Sequence, residues 1–271
     1  MAIVYQYCNT SAFMSIMSKK TFWLTPTNHM NDYKEVKYVW DVYNDVINGD
    51  GVKFVDDYAL DMLKRICRAQ HEVSLISCFS YYPDILSQWR AYSSNGEGFS
   101  IGIDTSRLDI KIIEERYTTE GVHSLFLAPV KYVSEDEIKD NIFENIRIFN
   151  ERYKESAVKH ISAFSNFMRE LAESTKGKAF SEEQEIRIIY QGTISNSDDG
   201  IPEVLPKGFP VKYRMSGQKI IPYCELEIPI DAFREVYVGP RNTSEISDIK
   251  MFLQTHGLSH VEIKQSNASY R

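Results

Sequence analysis

Phe180-Ser-Glu-Glu-Gln-Glu-Ile-Arg187 runs directly into Ile188-Ile-Tyr190, and the architecture turns on how this stretch is read. Period-two alternation predicts a strand whose entry carries Glu183, Glu185 and Arg187 on one face, with Ile186, Ile188 and Tyr190 on the other. Ionised groups rarely occupy a half-buried strand unless something pairs with them. The charged face therefore meets either solvent or a cleft in which a carboxylate has a task.

Working outward from this strand, the chain alternates between blocks of strand and blocks of helix. Residues 3–7 read as a short apolar and aromatic strand, and Asn9-Thr10-Ser11 caps a helix carried by Phe13, Ile16 and Met17. Residues 22–25 form a second strand closed by Pro26. Helical spacing of Val36, Val39, Tyr43 and Val46, and again of Leu60, Leu63, Ile66 and Cys67, predicts two helices within about 31–68, broken at Gly49 and Gly51. Strands follow at 73–80 and 98–103, with a short helix at 85–92 between them. Ser134-Glu-Asp-Glu137 is a capping box, and apolar residues from Ile138 to Leu171 predict one long helix or a helical pair ending near Gly177. Strand-like runs at 186–190, 219–228 and 236–239, a helix over 246–255 and a last strand near Val261 complete the chain. Such blocks point to an α+β fold rather than a doubly wound sheet. They form a single domain over residues 1–271.

The chain has 271 residues, 43% hydrophobic and 25% charged, enough for a sizeable core without metals or disulfides. A net charge of −7 argues against broad electrostatic attraction to nucleic acid. Cys8, Cys67, Cys78 and Cys224 form no Cys-x-x-Cys pair and read as reduced, mostly buried thiols. Neither a secretory leader nor an apolar run of membrane-spanning length is evident, so a cytoplasmic location is expected.

Gly-rich phosphate loops, Gly-x-Ser-x-Gly elbows and His-Glu-x-x-His pairs are all missing from the sequence. The six histidines show no strong metal-ligand spacing, so no metal is expected. Two aromatic clusters stand out instead. In Val4-Tyr-Gln-Tyr-Cys8, alternation separates Tyr5 and Tyr7 from Gln6. In Ser87-Gln-Trp-Arg-Ala-Tyr92, Trp89 and Tyr92 sit three apart on a short helix, a spacing that either lines a slot for a flat ring or fills a core.

Taken in order, Tyr5-Gln-Tyr7, Asn31-Asp32, Cys78-Phe-Ser80, Trp89-x-x-Tyr92, the Gly96-x-Gly-Phe-Ser-Ile-Gly-Ile-Asp104 stretch, Phe180-x-x-Glu-x-Glu-x-Arg187 and the closing Ser266 and Tyr270-Arg271 resemble a widespread bacterial family of unknown function associated with phage defence. More distantly, the order is similar to that of the ADP-ribosyltransferase superfamily. Gln6-Tyr7-Cys8 occupies the place of that superfamily's His-Gly-Ser, and Phe13-Met-Ser-Ile-Met17 that of its first helix. Cys78-Phe79-Ser80 resembles its middle strand end, with Ser87 and Trp89 near the nicotinamide-binding positions, and Glu183-x-Glu185 resembles its catalytic carboxylate pair.

This resemblance implies a core of two packed, mainly antiparallel sheets with helical insertions at about 31–68 and 134–176. It implies NAD as substrate, bound by Gln6, Tyr7, Ser80, Tyr81, Ser87, Trp89 and Tyr92. Glu185 would stabilise the oxocarbenium-like cation formed when the nicotinamide bond breaks, Glu183 would act on the acceptor nucleophile, and Arg187 would keep a carboxylate ionised. The implied function is an ADP-ribosyltransferase acting on RNA, DNA or protein, as a bacterial toxin or phage-defence effector with a possible neutralising antitoxin. Two other readings compete: a non-catalytic nucleotide or nucleic-acid binding module, and a nuclease holding Mg²⁺ with Asp32, Asp104, Glu183 and Glu185.

Overall fold

The computed structural model describes residues 3–29, 33–49, 58, 60–61, 72–112, 125–197 and 199–269. The first strand, β1 (Ile3–Cys8), leads to α1 (Thr10–Lys19), whose Asn9 cap accepts from the Ala12 backbone N–H at 2.8 Å. β2 (Thr21–Pro26) follows, then α2 (Tyr33–Asn48) and β3 (Glu72–Ser80). The short α3 (Leu86–Tyr92) precedes β4 (Phe99–Asp104), β5 (Lys111–Ile112), β6 (Leu125–Pro129) and β7 (Lys131–Val133). The 134–176 segment is a helical pair, α4 (Glu135–Arg152) and α5 (Ala157–Glu173), and the Ser134–Glu137 capping box that starts it is fully formed. The second helix expected within 31–68 falls largely on residues 62–71, which lie outside the described residues, as do Asn31 and Asp32.

After α5 the chain enters β8 (Thr175–Gly177), β9 (Glu185–Asn196), β10 (Pro202–Leu205), β11 (Phe209–Pro210), β12 (Lys212–Ser216), β13 (Lys219–Glu227) and β14 (Phe233–Val238), then α6 (Ile246–Thr255) and β15 (Glu262–Gln265). The fold mixes a large, mainly antiparallel sheet with several helices. Among the described residues, thirteen strands join into one sheet, while β7 and β8 form a separate parallel pair. Two separate packed sheets were the expectation; the strands instead form a single sheet that forks. The fork arises because β3 and β9 are long and pair with each other from Glu72↔Thr193 to Ser80↔Glu185. The opposite edge of β3 has room for two partners. β2 takes its early part through Thr25↔Ile76 and Pro26↔Leu75, and β1 takes only its end through Tyr5↔Ser80. One branch continues β1-β4-β14-β15, the other β2-β13-β12.

The main core combines residues of both branches, including Phe22, Leu24, Phe79, Phe99, Ile101, Ile188, Tyr190, Cys224 and Phe233, with Phe13, Ile16 and Met17 of α1 and Leu253 of α6. Burial of such side chains contributes roughly 1.5–3 kcal/mol each. A second apolar cluster belongs to the helices: Val39, Tyr43 and Val46 of α2 pack with Ile142, Ile146 and Phe149 of α4 and Phe164, Phe167 and Leu171 of α5. The spacing that marked these helices in the sequence is thus the stripe they bury against one another. Among the described residues, no helix is long and apolar enough to cross a membrane.

Candidate functional site

Where β1 and β2 diverge from β3, a cavity of about 310 Å³ opens. Ser77, Cys78 and Phe79, the β3 residues between the two branch points, line it together with Gln6 and Cys8 of β1. Gln6 bridges the gap, its Nε2 donating to Ser77 Oγ at 2.9 Å.

At one end of the cavity stand Glu183 and Glu185. They do not share a pleat, as simple alternation predicted. Glu183 closes a 3₁₀ turn, Gln184 adopts a left-handed conformation (φ 46°, ψ 55°), and β9 begins only at Glu185. That kink turns both carboxylates toward Lys176 of β8, whose Nζ bonds Glu183 Oε2 and lies 2.9 Å from Glu185 Oε2. Arg187, fully buried, donates from Nε to Glu185 Oε1 at 2.7 Å and from Nη2 to Oε2 at 3.2 Å. Its Nη1 donates to the Glu173 carbonyl at the end of α5, 2.6 Å away. The Tyr132 hydroxyl accepts the Glu185 backbone N–H at 2.8 Å, which pins β9 to β7.

Burial alone would favour the neutral acid at Glu185, but the adjacent Arg187 and Lys176 outweigh it and hold the carboxyl down at about 2. Burial, together with the neighbouring Glu185 carboxylate, pushes the Cys78 thiol well above its ordinary range. That makes Cys78 a hydrogen-bond donor rather than a thiolate. Tyr92 completes this end, with its hydroxyl 3.4 Å from Glu183 Oε1. Burial first and Glu183 second raise its phenol pKa.

The remaining residues singled out in the sequence divide clearly. Gln6, Tyr7, Tyr92, Glu183 and Glu185 line the cavity. Trp89 does not: it is 0% exposed and packs edge-on against Tyr7, with ring centroids 4.9 Å apart, while its Nε1 donates to Asp84 Oδ1 at 2.6 Å. Asp84 also accepts from Ser266 Oγ and the Asn267 N–H, so Trp89 helps anchor the C-terminal segment instead of presenting a face to a ligand. Ser80 is buried and donates to the Glu183 carbonyl at 2.8 Å, supporting the kink from behind. Tyr81 packs against the main core, and Ser87 lies outside the cavity wall. Of the four carboxylates in the nuclease reading, Glu183 and Glu185 line the cavity and Asp32 lies outside the described residues. Asp104 caps the turn after β4 by accepting from Ser106 N and Oγ, and is absent from the wall. Among the described residues, no three His, Cys, Asp or Glu side chains converge as a metal site.

Residues 88–188 match the model of DUF2971, a family of proteins of unknown function. No curated protein and no solved structure matches the chain. The matched segment runs from α3 into β9 and so contains Tyr92, Lys176, Glu183 and Glu185 of the cavity wall, with Arg187 buried behind Glu185. Gln6, Trp23, His29 and Arg214, which also line the cavity, come from outside that segment.

Sequence reasoning missed Lys176 and Arg214. Lys176 sits in Thr175-Lys-Gly-Lys178, a polar stretch after a helix with no motif to mark it. A faint signal was available for Arg214: in Lys212-Tyr-Arg-Met-Ser216, it is the basic residue at the centre of a short strand-like stretch.

Proposed function

We propose that the cavity at the sheet fork binds NAD as a substrate and that the protein is an ADP-ribosyltransferase modifying a macromolecular acceptor, as a bacterial toxin or phage-defence effector. The observation that carries this reading is the convergence of two carboxylates, bridged by Lys176, on one wall of a cavity that also presents Gln6 and Tyr92. In the reaction, the bond between ribose C1′ and the nicotinamide nitrogen breaks and its electron pair leaves with nicotinamide. The sugar cation forms beside Glu185, whose fixed negative charge stabilises it. The acceptor nucleophile then bonds to C1′ and gives its proton to Glu183, the less buried carboxylate. Arg187 acts through Glu185 as a positioning residue. Gln6 donates to a ribose hydroxyl.

Incubation with labelled NAD and bacterial lysate is expected to release nicotinamide and label a macromolecule. Glu185→Gln is expected to lose both, and Glu183→Gln to lose labelling more than release. Equal nicotinamide release with and without lysate would indicate hydrolysis without an acceptor. A wild-type protein that neither binds nor consumes NAD in any extract removes the reading. Growth arrest on expression, relieved by Glu185→Gln, is the expected cellular counterpart, and a cognate antitoxin would relieve it too. The full engagement of Glu185 by two cations favours a second reading, a nucleotide-binding module without turnover. Binding that survives Glu185→Gln, with no nicotinamide released by the wild type, would select it.

A further inference from the structure

The part of the cavity wall contributed by the β2-β13-β12 branch includes Trp23, Thr25 and Arg214. Arg214 lies on β12, across from Ile221 of β13, and its guanidinium carbon sits 5.2 Å from the centre of the Trp23 ring. Trp23 is itself packed on Tyr223 at 4.9 Å, so the indole is a rigid support. Among the described residues Arg214 pairs with no carboxylate. Its Nη2 donates one long hydrogen bond, 3.4 Å, to Thr25 Oγ1, and its buried Nε donates none. A guanidinium has five N–H donors in a fixed fork, and among the described residues the Trp23 contact and one long hydrogen bond offset only part of the desolvation cost of a half-buried one. Burial accordingly depresses its pKa. Lys212, two residues earlier on the same strand, is neutralised by Glu225 at 2.5 Å, so of these two cations on β12 it is Arg214 that has no carboxylate among the described residues. His29 and Thr25 add further polar groups to the same wall.

We propose that Arg214 is the anion-binding residue of this cavity and that it receives a phosphate group of a nucleotide ligand. Arginine suits this task because its planar fork can donate two parallel hydrogen bonds to phosphate oxygens while its face stays on an aromatic ring. The cavity is then bipolar: a phosphate sits against Arg214, and the hydroxyl-bearing or cationic part of the same ligand faces Glu183 and Glu185. The inference rests on reading the cavity as a nucleotide site but does not depend on glycosidic cleavage taking place there.

Calorimetric titration of the full chain with adenosine, AMP, ADP-ribose and inorganic pyrophosphate tests it. AMP and ADP-ribose are expected to bind at least about tenfold more tightly than adenosine, the equivalent of one charge-assisted hydrogen-bonded contact. Arg214→Gln is expected to abolish that difference while leaving adenosine binding and the melting temperature nearly unchanged, and Arg214→Lys to restore part of it. Competition by pyrophosphate alone, lost in Arg214→Gln, would show that free phosphate chemistry suffices; competition by AMP but not pyrophosphate would show that the nucleoside is required. Equal affinity for AMP and adenosine, undiminished AMP binding by Arg214→Gln, or no binding of any phosphate compound would each overturn the proposal. Arg214-dependent binding of ADP-ribose without NAD consumption would leave this inference standing while the transferase reading fell.

Discussion

At the Glu185 end of the cavity every strong charge faces an opposite one: Arg187 and Lys176 against Glu185, and Lys176 again against Glu183, with side chains 0–6% exposed apart from Glu183 at 15%. At the Trp23 end, Arg214 faces an indole and a threonine hydroxyl and no carboxylate. The first arrangement is complete within the chain, and its loss would be felt as instability. The second lacks an anion, and its loss would be felt mainly by a ligand. Lys176, Glu183 and Glu185 of the first and Trp23 and Arg214 of the second line one cavity, so the contrast predicts that stability and binding separate there by mutation.

The largest effect expected from this contrast is that of Arg187→Met. Removing the fully buried cation leaves Glu185 with Lys176 alone, and breaking a buried pair in this way costs about 3–5 kcal/mol. Urea denaturation should show the midpoint falling accordingly, and an unchanged midpoint would mean that Lys176 suffices to hold the carboxylate. Acid should produce the next largest effect. The Glu185 carboxyl lies at about 2 in the folded chain against an ordinary 4.5. A depressed folded pKa contributes stability that is present above the unfolded value and is lost as pH falls from about 4.5 toward 2. Linkage puts this on the order of 3 kcal/mol, so melting curves between pH 6 and 3 should fall more steeply for the wild type than for Glu185→Gln. Parallel curves for the two proteins would show that the group is not held in its ionised form.

Lys176→Met should be milder, on the order of 2 kcal/mol, because Glu185 keeps Arg187 and Glu183 can turn to water. A loss as large as that of Arg187→Met would make the lysine, not the arginine, the main counter-ion. The smallest stability effect belongs to Arg214→Gln. Its contact with Trp23 contributes about 0.5–1 kcal/mol, and relief of burial works in the opposite direction. The melting temperature should therefore stay within a few degrees of the wild type, while binding of phosphate-bearing nucleotides is lost. A large drop in melting temperature would erase the contrast between the two ends.

Local elements were readable wherever their cause is local. Asn9 and Ser134 cap helices because a side-chain oxygen within the first turn meets a backbone N–H, and both caps are present where the sequence put them. The helix over 246–255 has the boundaries that its apolar spacing suggested, and β1, β2 and β3 fall within a few residues of their expected positions, whereas β9 continues well past Tyr190 to Asn196. Glu183 and Glu185, singled out as an aligned pair, do line one cavity, but not through a shared pleat. The alternation that seemed to align them is interrupted by the left-handed Gln184, and the kink brings them to one wall. Trp89 and Tyr92, three apart on one helix, were compatible with either a slot for a flat ring or core filling. Only Tyr92 reaches the cavity, because Tyr7 and Asp84 enclose the indole from other elements.

By itself, then, the sequence determined the capped and apolar-spaced helices, the strands β1 to β4, β13 and β14, the block arrangement of an α+β fold and the presence of an unusual carboxylate pair at the entry to β9. These follow from periodicity and capping, which act over a few residues. Tertiary structure alone decided that the sheet forks, that Lys176 joins the two glutamates, and that Arg214 lines the same cavity as they do. These outcomes rest on pairings such as Tyr5↔Ser80 and Thr25↔Ile76 and on strands contributed from distant parts of the chain. The burial of a charge and the identity of its partner depend on which distant segments fold against it, and no local pattern records that.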